Sequence, residues 1–570
     1  MLLRLRVFTF ILFIGFALLV ARLFYWQIYK GKDLSIQARG QQQSGIFLSA
    51  PRGEVLASDN SWLAASTEVW LVYASLPDIR ESKKTIADKL ALFFVDDASD
   101  NDALLKEAGR LKELLSKEGL VWVALKNKVS SDVKKKIEEI AIEGIGFERQ
   151  EGRYYPEASV AAHLLGFVGK DSEGKDQGYF GLEGYYDVVL SGKPGFIVRE
   201  EDAFGLPIAA GTMREISAVG GVSLLTHIDK GIEIDLDAKL KEGIEKYGAT
   251  GGTAIVMDPK SGGIIAMSSY PSYDPREYFN YGEELFINPS ISLSFEPGSV
   301  FKVLVMAAAL DAGVINPETK CDICGGSVRI DKYTIETWNG EYRPDSKMTD
   351  IIVNSDNVGM VFVGRKLGVE KMYEYLTAFG IGEKTGIDLQ GEMSPVMRSK
   401  DKWGQIELAT ASFGQGVAVT PVQMVRAVGA IANKGLLLEP RVVNKIIGEG
   451  WEENIEKTNG EMVISEKAAS EVTAMMVEAA QNGESKWTNI QGFGVAGKTG
   501  TAQIPIAGHY DEDKTIASFI GFAPYDNPKF VMLVTLHEPA TSPWASETAA
   551  PLWYSIAKDL FIKFGIQPKN

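Results

Sequence analysis

Hydrophobic positions along this 570-residue chain change their rhythm twice, and each rhythm predicts a different kind of structure. From Val7 to Tyr29 they are nearly continuous, with Arg22 as the only charge, and residues rising about 1.5 Å each over that length cross the hydrocarbon core of a bilayer. Tyr25, Trp26 and Tyr29 suit an interfacial aromatic belt. Leu19-Val20-Ala21-Arg22 is a poor small-x-small cleavage site, so residues 1–32 are predicted to be an uncleaved signal anchor with a short cytoplasmic tip. Arg4 and Arg6 favour a cytoplasmic N-terminus with the bulk of the chain outside, although Lys30 and Lys32 on the far side weaken that charge asymmetry.

From 33 to 240 the pattern is mixed and the elements are short. Helical periodicity marks Lys83 to Phe94, Asp102 to Lys117 and Ser131 to Ile142, the last two rich in Lys and Glu on solvated faces. Strand-like runs occur at Glu68–Tyr73, Leu120–Leu125, Gly195–Glu200 and Gly221–Thr226. No nucleophile lies beside a base here, so the segment reads as a spacer or docking module.

Beyond it the apolar runs lengthen. An amphipathic helix is predicted over Lys230 to Tyr247, then a hairpin of Thr253–Met257 and Gly263–Met267 around Asp258-Pro-Lys-Ser-Gly-Gly. Pro297-Gly298 breaks the chain and Gly313 suits a C-cap, so a helix is predicted from Ser299 to Gly313, buried nearly all round. Met348 to Leu367 is apolar apart from the island Asn354-Ser355-Asp356-Asn357. Gly494 to Gln503 leads into the apolar strands Thr515–Phe522 and Lys529–Leu536, and Ala549 to Phe564 forms a closing helix. The expectation is an α+β multidomain protein: anchor (1–32), mixed α/β pedestal (33–240), and a third domain (241–570) with an antiparallel sheet packed between helices.

A net charge of -16 argues against a nucleic-acid binder, which needs a basic face. Cys321 and Cys324 are the only cysteines, without the second pair a tetrahedral zinc site requires, and the four histidines have no ligand spacing; no metal or cofactor is expected. The cysteines form either a local disulfide or two free thiols.

Chemistry enters with Lys302, the one charge in the buried helix. A buried charge is costly unless paired, and a desolvated lysine loses its proton near neutrality. Positions i and i+3 share a helix face, which puts the Lys302 amine beside the Ser299 hydroxyl as base beside nucleophile. Ser-x-x-Lys alone is weak. Ser299-x-x-Lys302, Ser355-Asp356-Asn357 and Lys498-Thr499-Gly500 in this order are strong, because together they form the set of penicillin-binding proteins and class A β-lactamases. A second triplet, Lys384-Thr385-Gly386, follows a helix and leads into only a three-residue strand-like run, so it reads as a loop.

Over nearly its whole length the chain resembles the class B penicillin-binding proteins, the monofunctional peptidoglycan DD-transpeptidases. Beyond the three motifs, the likeness rests on Arg52-Gly53, Arg153-Tyr-Tyr-Pro156, Ala162-His163, Gly181-Leu182-Glu183, Trp403, Ala409-Thr-Ala-Ser-Phe-Gly-Gln-Gly416 and Thr420-Pro-Val-Gln423. The Ala409 block is more like the division and sporulation branch (FtsI- and SpoVD-like) than the elongation branch. Ala57-Ser-Asp-Asn60 departs from the family's Asp-Arg-Asn-Gly.

The resemblance implies a serine acyl-enzyme that crosslinks stem peptides in septal wall synthesis and is a target of β-lactams. It implies Ser299 as nucleophile, Lys302 as base, Ser355 as proton relay, Asn357 on the substrate backbone, Lys498 as a positive charge near both serines, and Thr499, Gly500 and Thr501 as substrate-binding residues. Thr499 and Thr501 would bind the terminal carboxylate, with the N–H groups of Ser299 and Thr501 as oxyanion hole. It further implies an extracytoplasmic catalytic domain on the bacterial cell membrane, with a SEDS-type polymerase and division proteins as partners. A β-lactamase or carboxypeptidase, and a penicillin-sensing receptor, are the competing classes. An anchor and pedestal are superfluous for a β-lactamase, no Glu-containing loop suggests itself for deacylation, and too few residues precede the anchor for a cytoplasmic output domain.

Overall fold

The computed structural model describes residues 2–32, 34, 43–95, 97–200, 213–455, 460–506 and 509–569; the expected start of the pedestal, residue 33, lies outside them. The chain folds as two compact units that interleave in sequence. One comprises Met1–Pro51, Glu68–Glu151 and Gly192–Gly221; the other comprises Arg52–Thr67, Gly152–Ser191 and Val222–Asn570.

In the first unit, Leu2–Phe24 is an α-helix that passes into a π-helical turn at Tyr25–Tyr29. Its side chains are exposed throughout, and it is the one helix among the described residues long and apolar enough to cross a membrane. The predicted helices form as Lys83–Phe94, Asn101–Leu115 and Ser131–Glu139, capped by the side chains of Ser82, Asp100 and Ser130. They bury Ile86, Leu90, Leu111, Leu115 and Ile137 with Val72, Val123 and Leu125 of the paired strands. The third ends three residues short of Ile142, where Ala141 turns to φ 45°. Gln43–Leu48, Gly195–Glu200 and Met213–Ile216 form a separate antiparallel sheet.

The second unit is built on five antiparallel strands in the order Ile264–Tyr270, Gly251–Met257, Phe530–His537, His509–Ala523, Ala496–Ile506. Both faces are covered, which is why these strands read as unbroken apolar runs rather than alternating ones. Alternate side chains still sort to opposite cores. Phe530, Met532 and Val534 meet the helices Lys230–Tyr247 and Ala549–Lys563, while Val531 and Leu533 join the core around Lys302–Asp311. Ala496–Ile506 is the sheet edge, so one row of its backbone groups has no strand partner.

Near this edge the structure refines two expectations. Ser299 lies in a 3-10 turn, Gly298–Phe301, and the α-helix proper begins at Lys302 and ends at Asp311, before Gly313 at φ 66°. The polar island separates two helices, Met348–Val353 and Asn357–Ala378, the second kinked at Gly368. Cys321 and Cys324 are joined in a disulfide. Arg52, Arg153 and Glu183 form a buried ion-pair cluster within the second unit, with Glu183 bound by Arg52 Nε and Arg153 Nε at 2.6 Å each.

Candidate active site

Three segments far apart in sequence meet at the edge strand. The 3-10 turn brings Ser299; the break between helices brings Ser355 and Asn357; the strand brings Lys498, Thr499, Gly500 and Thr501. Gly500 allows a close approach: a Cβ there would stand 2.7 Å from Ser518 Oγ, 2.8 Å from Val300 Cγ1 and 3.0 Å from Pro297 O. Any larger residue would push the strand off the turn that carries Ser299.

The turn at Ser355 is locally determined. Ser355 adopts φ 53°, and Asp356 caps the following helix by accepting the Gly359 N–H at 3.0 Å. The polar island is thus a cap, and it also delivers two side chains to the lysine. Lys302, with no exposed surface, donates to Ser355 O (2.7 Å), Asn357 Oδ1 (2.8 Å) and Ser355 Oγ (3.3 Å). Those three bonds use all three ammonium protons. Burial first and the charge of Lys498 second lower its pKa from 10.5 to about 7, against the opposing effects of Glu484 and Asp356.

Lys498 is also buried, and burial lowers its pKa too, with Glu484 opposing. Its amine donates to Thr499 Oγ1 at 3.0 Å and Thr499 O at 3.2 Å. Thr501 Oγ1 accepts the Ala545 N–H at 3.1 Å. A Cβ on Gly298 would lie 3.1 Å from Thr501 O, so that carbonyl points off the sheet edge toward the serine turn. In an antiparallel strand a residue's N–H and C=O point the same way, so the Thr501 N–H also faces the turn. The sequence-predicted residues therefore all converge.

A cleft of about 520 Å³ opens over them, lined by Ser299, Ser355, Asn357 and Thr501, and also by Trp338, Phe413, Gln415, Glu484 and Trp544. The last five are residues to which sequence reasoning assigned no role. Phe413 and Gln415 lie in a block the family resemblance had marked. Trp338 and Trp544, whose rings stand 5.4 Å apart, come from polar loops with no periodicity to flag them. Glu484 lines the cleft and accepts the Thr499 hydroxyl at 2.6 Å. Its only signal was a position just past a helix end. Lys384-Thr385-Gly386 lies in a separate turn, where the Thr385 N–H and hydroxyl both donate to Glu392. Among the described residues no cluster of His, Cys, Asp and Glu could hold a metal ion.

Comparison with known proteins finds relatives along nearly the whole chain. A penicillin-binding protein transpeptidase domain matches residues 252–560 and a penicillin-binding protein dimerisation domain matches 47–224. Stage V sporulation protein D of Bacillus subtilis is 30% identical over 98% of this chain and 85% of its own length. Peptidoglycan D,D-transpeptidase FtsI of Escherichia coli is 29% identical over 78% of this chain and 73% of its own. The fold is shared with penicillin-binding protein 3 of Mycobacterium tuberculosis, solved with aztreonam, at TM-score 0.70 and 24% identity over 92% of this chain and 98% of that one.

Proposed function

The chain belongs to the class B penicillin-binding proteins, among relatives of the FtsI and SpoVD kind, and on that premise we propose how its cleft performs the family reaction. It is a peptidoglycan D,D-transpeptidase that crosslinks stem peptides with release of D-alanine, and β-lactams are its inhibitors. The observation that carries the assignment of residues is Lys302: fully buried, one turn from Ser299, hydrogen-bonded to the Ser355–Asn357 turn, with a pKa of about 7.

Near neutral pH a large share of Lys302 is the free amine. A neutral amine has two N–H donors and a lone pair, so deprotonation releases one of its three hydrogen bonds and offers an acceptor to the Ser299 hydroxyl. Ser299 Oγ attacks the D-Ala-D-Ala carbonyl while Lys302 takes its proton. The oxyanion meets the N–H groups of Ser299 and Thr501, where one donor is worth about 3 kcal/mol of transition-state stabilisation. Ser355, within 3.3 Å of Lys302, passes the proton to the departing D-alanine amine. Asn357 and Gly500 set the substrate backbone, Thr499 and Thr501 receive its carboxylate, and Lys498 supplies positive charge. The amine of a neighbouring stem then attacks the acyl-enzyme, forming the crosslink and freeing Ser299.

The protein is membrane-anchored through Leu2–Phe24. We place the catalytic domain (241–570) and pedestal (33–240) outside the cytoplasm, on the strength of Arg4 and Arg6 and of the substrate's location, with a SEDS-type polymerase and division proteins as partners in septal synthesis. Full-length Ser299→Ala tests the assignment: loss of covalent labelling by a fluorescent penicillin is expected, and persistent labelling would sink it. Depletion in the native host tests the septal role, which predicts filamentous rather than rounded cells.

A further inference from the structure

Glu484 sits in this cleft without a part in the reaction above. Its placement is built in. The helix Glu466–Asn482 ends at Gly483, where a Cβ would lie 2.4 Å from Ala479 O and 2.9 Å from Val353 O. Glycine lets the chain tuck under there and bring the next side chain to the edge strand. Glu484 Oε2 accepts the Thr499 hydroxyl proton at 2.6 Å, and Thr499 Oγ1 itself accepts from Lys498 at 3.0 Å. The three groups form a charge-assisted chain, ammonium to hydroxyl to carboxylate.

That chain conflicts with an incoming anion. A threonine hydroxyl has one proton to give, and this one is already given to a carboxylate of the protein. The neighbouring Thr501 differs: its oxygen accepts from the Ala545 N–H, and among the described residues its proton has no acceptor. A ligand carboxylate thus receives the Thr501 proton freely, but the Thr499 proton only at the expense of Glu484. It also arrives beside a like charge that offsets part of the attraction of Lys498.

We propose that Glu484 is a specificity-determining residue, an internal carboxylate that occupies the place on Thr499 that a ligand's carboxylate must take. Anionic ligands bind by displacing it, and ligands lacking that charge avoid the competition. The proposal rests on the reading of Thr499 and Thr501 as the carboxylate-binding hydroxyls.

The test is the ratio of acylation rate constants for benzylpenicillin, which carries a carboxylate, and its neutral methyl ester, measured with the full-length protein in detergent. Glu484→Gln removes the charge and should raise the anionic-to-neutral ratio about tenfold, the scale of one like-charge contact at a partly solvated site. Glu484→Ala also frees the Thr499 proton and should raise it further. An unchanged or lower ratio overturns the proposal. A loss shared equally by both probes does the same, since it marks a structural prop. Thr499→Val separates the two levels of inference. If it lowers the ratio while the Glu484 variants fail to raise it, only the competition falls. If it leaves the ratio unchanged, the carboxylate-binding role of Thr499 falls with it.

Discussion

The chain carries Lys-Thr-Gly twice, and the two copies have opposite fates. At Lys384-Thr385-Gly386 the threonine is buried, and its N–H and hydroxyl both go to Glu392 Oε1 at 2.6 Å, with the Gly386 N–H on Oε2 at 3.2 Å. Gly386 turns the chain at φ 82° and the Lys384 side chain is exposed. At Lys498-Thr499-Gly500 the backbone is extended at a sheet edge, and the lysine is buried. Yet Thr499 also donates to a glutamate at 2.6 Å. Neither the tripeptide nor its threonine–glutamate bond tells the copies apart. What differs is the lysine's solvation and the glutamate's occupancy: Glu392 accepts from three donors and closes a turn, whereas Glu484 accepts from Thr499 and faces a cleft. A motif acts through what surrounds it.

The comparison breaks most decisively at the nucleophile. If the second copy is the working one because it faces Ser299, then Ser299→Ala should abolish penicillin labelling while Lys384 remains irrelevant. Next in size, Lys302→Arg should reduce acylation to background, because guanidinium keeps its proton at neutral pH; an active variant would contradict the base assignment. Its pH profile sharpens the point. The base works deprotonated, so acylation should fall as pH drops below about 7, the value to which burial and the Lys498 charge bring Lys302, rather than falling already below 10.5. Lys498→Ala should cost about a hundredfold in acylation rate, comparable to losing one electrostatic contact to the transition state. Lys384→Ala should leave the rate within experimental error. The smallest effect belongs to the first copy. Glu392→Gln weakens a buried cluster of charge-assisted bonds and should cost about 1–3 kcal/mol in thermal or denaturant unfolding, with no change in the acylation rate of the folded protein. A loss of acylation there would mean that the two copies are coupled.

Much of this was legible before any coordinates. Unbroken apolar runs at Thr253–Met257 and Lys529–Leu536 announced strands buried on both faces, and those strands form with their side chains sorted between two cores. Lys302 stood out because a lone charge in an apolar helix needs a reason. The Asn354–Asn357 island stands out as polar residues inside an apolar segment, and in the fold its Asp356 caps the following helix. Less was readable where local pattern is silent. Cys321 and Cys324 left disulfide and thiols equally open, and the fold joins them. Trp338, Trp544 and Glu484 sit in loops, where a side chain's neighbours are set by tertiary packing rather than by period.

The order of residues determined the helices, the strands and the identity of each reactive group, because those follow from periodicity and covalent chemistry acting over a few positions. How far the Lys302 pKa falls and what shares the Thr499 proton were decided only when distant segments met. Desolvation and Coulomb interactions depend on distance through space: the charge that helps lower the Lys302 pKa comes from Lys498, far along the chain, and the carboxylate that takes the Thr499 proton lies 15 residues away at Glu484.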